Sequence, residues 1–330
     1  MNEPYVYASY LVNEAVQDLS VNVPNVIEDM KAMTFDEFND MKKLWLSNLD
    51  FIWLIEGHLS EDDALDMDKC TEASFKFNRI SYETVCSGRS IVFNERTIYT
   101  RRFVNPNESN PNAYCKSMFQ CYGKPSVFTV LMKLLHEKIF NQLRTQEQLG
   151  YIVHSGVQQI AKVNFAFIGV QSSTKDADYL EHRINTLLAE IKDNWPYTKK
   201  DIKKIVEAKI KARLQPKTSL GKEMASHWKK IMAEQTEEFD TVAKIIADLE
   251  EVTHSDVRDM FDLIFFECPR RLNYKAYRPS DVPNTEAIKC NEVFYNGPHF
   301  FVQGKDSLEF VEITEPRKLF ATHALNKIRI

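Results

Sequence analysis

Two short segments of the sequence, about 220 residues apart, share a pattern that constrains how the chain can fold. They read Met33-Thr-Phe-Asp-Glu-Phe-Asn-Asp-Met41 and Val252-Thr-His-Ser-Asp-Val-Arg-Asp-Met260. In both, a Thr suited to cap a helix is followed three residues later by an acidic residue. Each predicted helix leads, at the same offset within one residue, into a predicted strand, at 51–56 and 271–277. We interpret the pattern as a duplicated helix–strand unit.

The spacing of these segments estimates the size of the repeating domain. One complete copy fits, at about 87–280, and residues 1–60 then form the closing part of a preceding copy. A partial domain exposes sheet surface that must be covered, so the pattern predicts a missing partner segment. A capped helix before a strand is also common by chance. If chance explains the shared pattern, the two segments are unrelated.

Long amphipathic helices alternate with fewer strands, which predicts an α+β fold: an antiparallel sheet covered by helices. A capping box at Thr34 predicts a helix over 35–48, and a second capping box at Ser60 predicts a helix from Ser60 to about residue 76. The apolar run Phe51–Ile55 predicts a buried strand. Further strands are predicted at 90–95, 97–104, 113–122, 149–156, 163–172 and 272–277. Further helices are predicted at 127–142, 176–195, 198–214, 219–233, 239–250 and 253–267, and the residues after Pro279 are predicted to form a tail with little regular structure.

The composition argues against several classes of protein. The chain of 330 residues carries a net charge of −5, unlike a general nucleic-acid binder. Its longest strongly apolar run, Phe51–Ile55, is far shorter than the roughly 20 residues of a membrane span. The N-terminus lacks the features of a signal peptide, so a cytoplasmic location is expected. The six cysteines are scattered, with no CxxC pair, which favours reduced thiols over a disulfide frame.

The sequence offers no self-contained active site. None of its eight histidines lies three or four residues from another, so no helix presents two imidazoles to one metal ion. His136-Glu137 begins like the zinc-binding HExxH motif, but Phe140 stands where the second histidine would be. Phosphate-binding loops and nucleophile elbows are absent as well. His136 is therefore interpreted as an ordinary residue of an amphipathic helix, and no metal site or bound cofactor is predicted within the chain.

One predicted junction between a helix and a strand carries groups with useful chemistry. The segment Phe140-Asn-Gln-Leu-Arg-Thr-Gln-Glu-Gln-Leu-Gly-Tyr-Ile-Val153 sets Arg144 and Tyr151 seven residues apart. Arg can hold a carbonyl oxygen or a developing oxyanion by a charge-assisted hydrogen bond, and Tyr can donate to the same oxygen. The alternative is purely structural: Arg144 pairs with Glu147, and Tyr151 is an ordinary aromatic residue of a strand.

The string from Leu143 to Val153, LRTQEQLGYIV, closely resembles the LRTxEQLGYxV signature in the C-terminal half of the insulysin/pitrilysin family, which are zinc metallopeptidases of the inverzincin class. Three further segments resemble the family in the right order: Trp53–Ser60, Cys268–Arg271 and Phe310–Thr314. The similarity extends over nearly the whole chain. These segments indicate that the chain resembles the C-terminal half of an insulin-degrading-enzyme-like peptidase.

The resemblance implies an architecture and a role. Family members contain four homologous α+β domains that form two halves around a chamber, and an HxxEH motif with a distant Glu binds zinc in the first domain. By resemblance, residues 1–86 are the end of a third domain, 87–282 a complete fourth domain and 283–330 a C-terminal tail. Arg144 and Tyr151 match the family's pair that holds the scissile carbonyl while a zinc-bound water attacks it. HxxEH does not occur in this sequence, so the resemblance implies zinc on a missing N-terminal half and no hydrolysis by this chain alone.

A basic stretch at Lys199–Lys217 carries eight Lys or Arg residues against two acidic ones. Its ordinary interpretation is a solvated helix face. Insulysin-like enzymes bind nucleotides and polyphosphates on the chamber wall, so the resemblance implies instead a polyanion site with Lys209, Arg213 and Lys217 as substrate- or anion-binding residues. Anion binding to such a cluster would depend strongly on salt.

Three hypotheses about function stay open at this point. The first is an enzyme that acts on peptides and is completed by a separate or proteolytically nicked N-terminal half bearing the zinc. The second is a non-catalytic binding or scaffold protein derived from the family. The third is a fragment of a longer enzyme, with Met1 an internal methionine. The peptide substrate, and whether the full enzyme forms a homodimer, are left open by the sequence.

Overall fold

The computed structural model describes residues 3–17, 23–80, 89–234, 238–281 and 309–312. Within these ranges the helices are α1 (Pro4–Val16), α2 (Val23–Ala32), α3 (Phe35–Ser47), α4 (Glu61–Ser74), α5 (Pro125–Ile139), α6 (Ala177–Asp193), α7 (Lys199–Leu214), α8 (Leu220–Lys229), α9 (Val242–Glu250) and α10 (His254–Asp262). The strands are β1 (Asn48–Leu49), β2 (Asn78–Arg79), β3 (Thr97–Val104), β4 (Ala113–Cys121), β5 (Ile152–Ile160), β6 (Val163–Ser172), β7 (Arg270–Tyr277) and β8 (Glu309–Glu312). π-Helical turns extend α5 through Phe140–Gln146, α8 through Lys230–Glu234 and α10 through Leu263–Glu267.

The chain divides into two compact units. The first contains residues 1–18, 89–214 and 241–330, and the second contains residues 19–88 and 215–240. These units are defined by contacts, whereas the predicted boundaries 1–86, 87–282 and 283–330 describe ancestral repeats. The predicted boundaries therefore stay a prediction.

Capping boxes explain where three of the helices begin. Thr34 caps α3, Ser60 caps α4 and Thr253 caps α10. In each, the backbone N–H of the cap residue donates to the carboxylate three residues later, at 2.7, 2.9 and 2.9 Å respectively. Each box satisfies N–H groups that the helix itself leaves unpaired and places a negative charge at the positive end of the helix dipole. The predicted starts of these helices are confirmed.

The first unit is built on a sheet with the strand order β5-β6-β4-β7-β3-β8. The neighbours from β5 to β7 pair antiparallel, whereas β3 pairs parallel with both β7 and β8. The predicted α+β fold, a sheet covered by helices, is confirmed. The sheet is mixed rather than wholly antiparallel because β7 inserts between β3 and β4, which run in opposite directions, and must be parallel to one of them.

Alternate residues of the strands pack into two cores on opposite faces of the sheet. On β4, Cys115 and Phe119 join the larger core with residues of α5, α6 and α10. Tyr114 and Met118, which alternate with them, join the smaller core with residues of α1. The larger core therefore fixes α5, the helix that leads into the candidate site, against the sheet.

A network of buried charges joins α6 to the sheet. Arg271 and Lys275 of β7 are almost fully buried, and Glu181 of α6 contacts both. Arg271 also donates to Ser117 and Asn185, at 2.7 and 2.8 Å. Burial by itself would raise the pKa of Glu181, but the two cations hold that pKa below its ordinary value. Because a buried charge without its partner costs several kcal/mol, the network favours one placement of α6 on the sheet.

The second unit contains α2, α3, α4, α8 and the short parallel pair of β1 and β2. Within α3, α4 and α8 as described, no residue is buried. Large apolar side chains such as Phe35 and Trp45 are 76% and 64% exposed. The helices of this unit are therefore amphipathic elements whose apolar faces are not covered by the described residues.

Several predicted elements differ from the structure. The predicted buried strand Phe51–Ile55 is wrong: the segment has no regular secondary structure and stays partly exposed, because no described strand pairs with it. Residues 90–95 do not form a strand, and Ser90 forms an isolated β-bridge with Gln17. The strand predicted at 149–156 begins later, at Ile152, and is longer. Of the residues predicted to form the tail, Glu309–Glu312 supply β8 to the sheet and Ser280 and Asp281 lie in a short 3₁₀ turn. The others lie outside the described ranges.

Candidate active site

The candidate site lies where α5 ends and β5 begins. After Ile139, α5 continues as the π-helical turn Phe140–Gln146. Leu143 and Leu149 are buried in the larger core, and the N–H of Leu149 donates to the carbonyl of Leu143 at 3.0 Å. These two apolar residues anchor the junction, and the polar residues between and after them stay near the surface.

Arg144 lies beside two aromatic rings. Its guanidinium carbon is 4.4 Å from the centroid of the Tyr151 ring and 5.3 Å from that of the Phe140 ring. Tyr151 itself is 84% exposed. Cation–π contacts position a guanidinium without using its N–H donors. Among the described residues, Arg144 has no hydrogen-bond or ion-pair partner, so those donors remain available to a ligand.

The structural alternative, a pair between Arg144 and Glu147, is not formed. Glu147 instead accepts two hydrogen bonds from Arg183 of α6, both at 2.7 Å, and a third from Gln142 at 3.0 Å. The hydrogen bond from Arg183 lowers the pKa of the Glu147 carboxyl below its ordinary value. This bidentate pair ties the junction to α6 and leaves Arg144 unpaired within the described ranges. Arg183 was not identified from the sequence because it lies 36 residues from Glu147 and belongs to no local motif.

The backbone between Arg144 and Tyr151 has two positions, Gln148 and Gly150, that few residue types can occupy without strain. Gln148 has a φ of 52°, in the left-handed region that few residues adopt without strain. A Cβ at Gly150 would lie 1.7 Å from the carbonyl oxygen of Gln171, so no other residue fits there without moving β6. Gly150 therefore allows β5 to begin in close contact with β6 immediately after Tyr151.

His136 has the ordinary role expected of it. It lies half-buried on α5, and its Nδ1 is 3.1 Å from both the carbonyl and the hydroxyl oxygen of Ser155 on β5. Within the described ranges, no three His, Cys, Asp or Glu side chains come close enough together to hold a metal ion. Over the same part of the chain, no helix is long and apolar enough to cross a membrane.

Two residues of the predicted anion site lie close together in the first unit. Lys209 and Arg213 lie on α7, and Lys133 of α5 is close enough to influence Lys209. Burial, followed by the positive charges of Arg213 and Lys133, lowers the pKa of Lys209. Lys217 lies after the end of α7 and belongs to the second unit. Lys133 was not identified from the sequence because it lies on another helix.

Comparisons with known proteins match the part of the chain that contains the candidate site. The model of the PQQ synthase PqqF-like family, C-terminal lobe domain 4, matches residues 130–228, which contain the candidate site. Insulin-degrading enzyme of Homo sapiens is 24% identical over 277 residues, which cover 82% of this chain and 27% of that protein. A nardilysin-like protein of Arabidopsis thaliana is 22% identical over 284 residues, covering 84% of this chain and 28% of that protein.

The fold has a solved counterpart. The crystal structure of pitrilysin superposes with a TM-score of 0.64 at 18% sequence identity, over 83% of this chain and 27% of that chain. The chain thus spans about a quarter of the length of the relatives it matches, 27% and 28% in the two cases above. With the sequence matches, the chain is identified as a homologue of the insulinase-family peptidases, and it is consistent with the C-terminal half of such an enzyme.

Proposed function

We propose that this chain is the C-terminal half of an insulin-degrading-enzyme-like zinc metalloendopeptidase. In the proposal it forms one wall of a chamber, and Arg144 and Tyr151 hold the scissile carbonyl of a peptide opposite a zinc site on a separate N-terminal half. The observation that carries the proposal is the state of Arg144: it is positioned by two rings and has no ionic partner among the described residues.

The chemistry of the pair suits a carbonyl that becomes an oxyanion. Arg144 supplies N–H donors with a fixed positive charge, and Tyr151 supplies a neutral O–H donor from an exposed ring 4.4 Å away. Hydrogen bonds from these donors strengthen as negative charge develops on the oxygen. A single donor of this kind contributes about 10²–10³ in kcat in well-studied hydrolases. Glu147 and Arg183 act on the reaction only by fixing the junction that carries the pair.

Zinc does not belong to this chain in the proposal. The described residues contain no donor set that fits a zinc ion. The metal on the N-terminal half would activate a water molecule for attack on the carbonyl. This chain would contribute the binding and orientation of the carbonyl oxygen, and peptide hydrolysis would require both halves.

The apolar surface of the second unit supports the need for a partner. Side chains such as Phe35 and Trp45 are exposed over most of their surface, and extensive apolar surface of this kind usually marks an interaction site. The same surface also favours the second candidate function, a non-catalytic binding protein of this family. The two candidates differ in whether Arg144 and Tyr151 affect turnover.

Reconstitution with a zinc-bearing N-terminal half of a relative tests the proposal. We expect Arg144→Ala to lower kcat about 10²-fold or more with a smaller change in KM, and Tyr151→Phe to lower it in the same direction. Arg144→Lys keeps the charge but loses the planar fork, so an intermediate rate is expected. Tyr179→Phe, which alters a partly exposed tyrosine on α6, is the matched control. Wild-type kcat in both Arg144→Ala and Tyr151→Phe would instead support the binding-protein function.

A polyanion site at Lys209 and Arg213 is proposed as a separate feature of the chamber wall. Two cations one helical turn apart on α7, with Lys133 nearby, create a local excess of positive charge on a chain whose net charge is −5. The lowered pKa of Lys209 reflects burial and, after it, repulsion from Arg213 and Lys133, and a bound anion would relieve that repulsion.

A further inference from the structure

β5 lies at one edge of the sheet, and within the described ranges it pairs with β6 alone. Its nine residues, IVHSGVQQI, include no Lys, Arg, Asp, Glu or Pro. Charged residues and proline are what natural edge strands commonly use to prevent further pairing. An uncharged edge of this length is therefore suited to accept another strand.

The hairpin between β5 and β6 determines which backbone groups face this edge. Its turn consists of Ala161 and Lys162, with φ values of 44° and 67°, as in a type I′ turn. The closing pair of such a turn, here Ile160 with Val163, exchanges both hydrogen bonds, and bonded pairs then alternate with non-bonded pairs along the ladder. The backbone groups that point away from β6 therefore belong to Val153, Ser155, Val157 and Gln159.

A row of side chains runs beside this edge and ends at the candidate active site. The ring centroids of His136 and Phe140 are 6.4 Å apart, and Arg144 follows at 5.3 Å from Phe140. The row is joined to β5 at both ends, because His136 contacts Ser155 and Arg144 contacts Tyr151, the residue before the strand. We call the surface formed by this row (His136, Phe140 and Arg144) and the open side of β5 the edge groove.

We infer that the edge groove binds a polypeptide segment in an extended conformation, which adds to β5 as a further strand. The inference rests on the proposed function and specifies the form in which the substrate is bound. Both sides of the groove offer groups that recognise a peptide main chain: the open N–H and C=O groups of β5 pair with peptide backbone, and Arg144 and Tyr151 donate to a carbonyl oxygen.

The chemistry of the groove favours this occupant. Phe140 and Val157 are 40% and 37% exposed and offer apolar contact without charge selection. The carbonyl of Ser155 already lies within hydrogen-bond distance of His136, so the nearest open positions for pairing are Val153 and Val157. The groove would accept peptides of varied sequence, since strand addition takes its affinity from main-chain hydrogen bonds.

Val157→Pro tests strand addition with little effect on the hairpin. Proline removes an N–H that points to the open edge, and it is tolerated on edge strands where that N–H faces outward. Val157→Thr is the matched control because it also reduces the apolar surface of the side chain but keeps the backbone N–H of residue 157. Thermal unfolding of both variants shows whether they fold as the wild type does.

The probe is a fluorescein-labelled peptide of eight alternating Val and Thr residues with a Lys at each end, titrated with the full chain by fluorescence anisotropy. We expect Val157→Pro to weaken binding about five- to tenfold, the effect of one lost main-chain hydrogen bond, and Val157→Thr to change it less than about twofold. A copy of the peptide N-methylated on every Val and Thr amide is expected not to bind, because its strand keeps no Val or Thr N–H that could donate to β5. Equal binding of the methylated and unmethylated peptides would overturn the inference.

Two other occupants of the edge have distinct signatures. A dimer of the chain in analytical ultracentrifugation that Val157→Pro abolishes, together with no peptide binding, would assign the edge to a second copy and overturn the inference. Peptide binding that appears only after Val157→Pro would show that another segment of this chain occupies the edge. That result would also overturn the inference.

The inference and the proposed function fail separately. Loss of turnover in Arg144→Ala, with KM and peptide affinity unchanged in Val157→Pro, would overturn strand addition and leave the proposed function in place. Loss of peptide affinity in Val157→Pro, with normal turnover in Arg144→Ala, would support strand addition and overturn the catalytic role of Arg144.

Discussion

The two units of this chain differ in what covers the apolar faces of their helices. In the first unit, Phe128 of α5 is 1% exposed and packs into a core shared with the sheet. In the second unit, Phe35 at the start of α3 is 76% exposed, although α3 has a complete capping box and α5 has no side-chain cap. Good local signals therefore do not ensure burial. A helix is buried only where another element, here the sheet, supplies a complementary apolar face.

The strongest test of this comparison is to truncate one phenylalanine in each unit. We expect Phe128→Ala to lower the free energy of unfolding by about 3–5 kcal/mol, because it removes buried contacts and leaves a cavity. Phe35→Ala is expected to change it by less than about 0.5 kcal/mol, because the side chain is already in water. Urea denaturation of the full chain followed by circular dichroism measures both. A loss of several kcal/mol in Phe35→Ala would mean that the second unit has a core of its own.

Substituting one glycine in each unit compares how closely the two backbones are packed. At Gly150 in the first unit, an added Cβ would lie 1.7 Å from a main-chain oxygen, so Gly150→Ala is expected to destabilise the chain by about 1–3 kcal/mol. At Gly221 in α8 of the second unit, an added Cβ meets nothing within 4 Å. Gly221→Ala is expected to be neutral or to stabilise by up to about 1 kcal/mol, because alanine favours the helix. Thermal denaturation of both variants checks the opposite signs, and equal signs would contradict the comparison.

The buried charges of the first unit predict how its stability depends on pH. The pKa of Glu181 in the folded chain is lowered, so its contribution is complete above its ordinary pKa of 4.5 and is lost as the pH falls through the lowered value. We expect the protection factors of the β7 amides, which are corrected for the intrinsic pH dependence of hydrogen exchange, to fall over that acidic range. Glu181→Gln is expected to exchange faster at neutral pH and to show a flatter dependence below 4.5. An unchanged acid response in this variant would assign the effect to other carboxylates.

The smallest expected effects concern the proposed anion site on α7 of the first unit. We expect Lys209→Gln and Arg213→Gln each to weaken the binding of inorganic polyphosphate about two- to fivefold at low salt, as expected for partly exposed charges. The difference should shrink as salt is added. Calorimetric titration of the full chain measures both. No loss in either variant would contradict the proposal.

Much of the fold was predictable because its signals are local. The starts of α3, α4 and α10 follow from capping residues three positions apart, and the sheet of the first unit follows largely from alternating apolar residues. The candidate site was partly predictable for the same reason, since Arg144 and Tyr151 lie within one short motif. Their contact is in the structure, whereas their catalytic role stays a proposal.

Other features could not be predicted because they depend on partners distant in sequence. β7 lies between β3 and β4, although β3 and β4 are consecutive strands. Glu147 has a nearby cation in the sequence, Arg144, but pairs with Arg183 because α6 brings a second arginine into better geometry. The segment Phe51–Ile55 is apolar enough for a buried strand, yet no described strand pairs with it.

The sequence by itself determined where the capped helices begin, which residues of each element are apolar and which motif brings Arg144 and Tyr151 together, because these depend on interactions over three to seven residues. Only the tertiary structure decided that Gly150 meets the main chain of β6. It also decided that, among the described residues, Arg144 keeps its donors unused and β5 is an edge strand. Each of these depends on which segments pack side by side, and packing is set by the whole chain rather than by any local pattern.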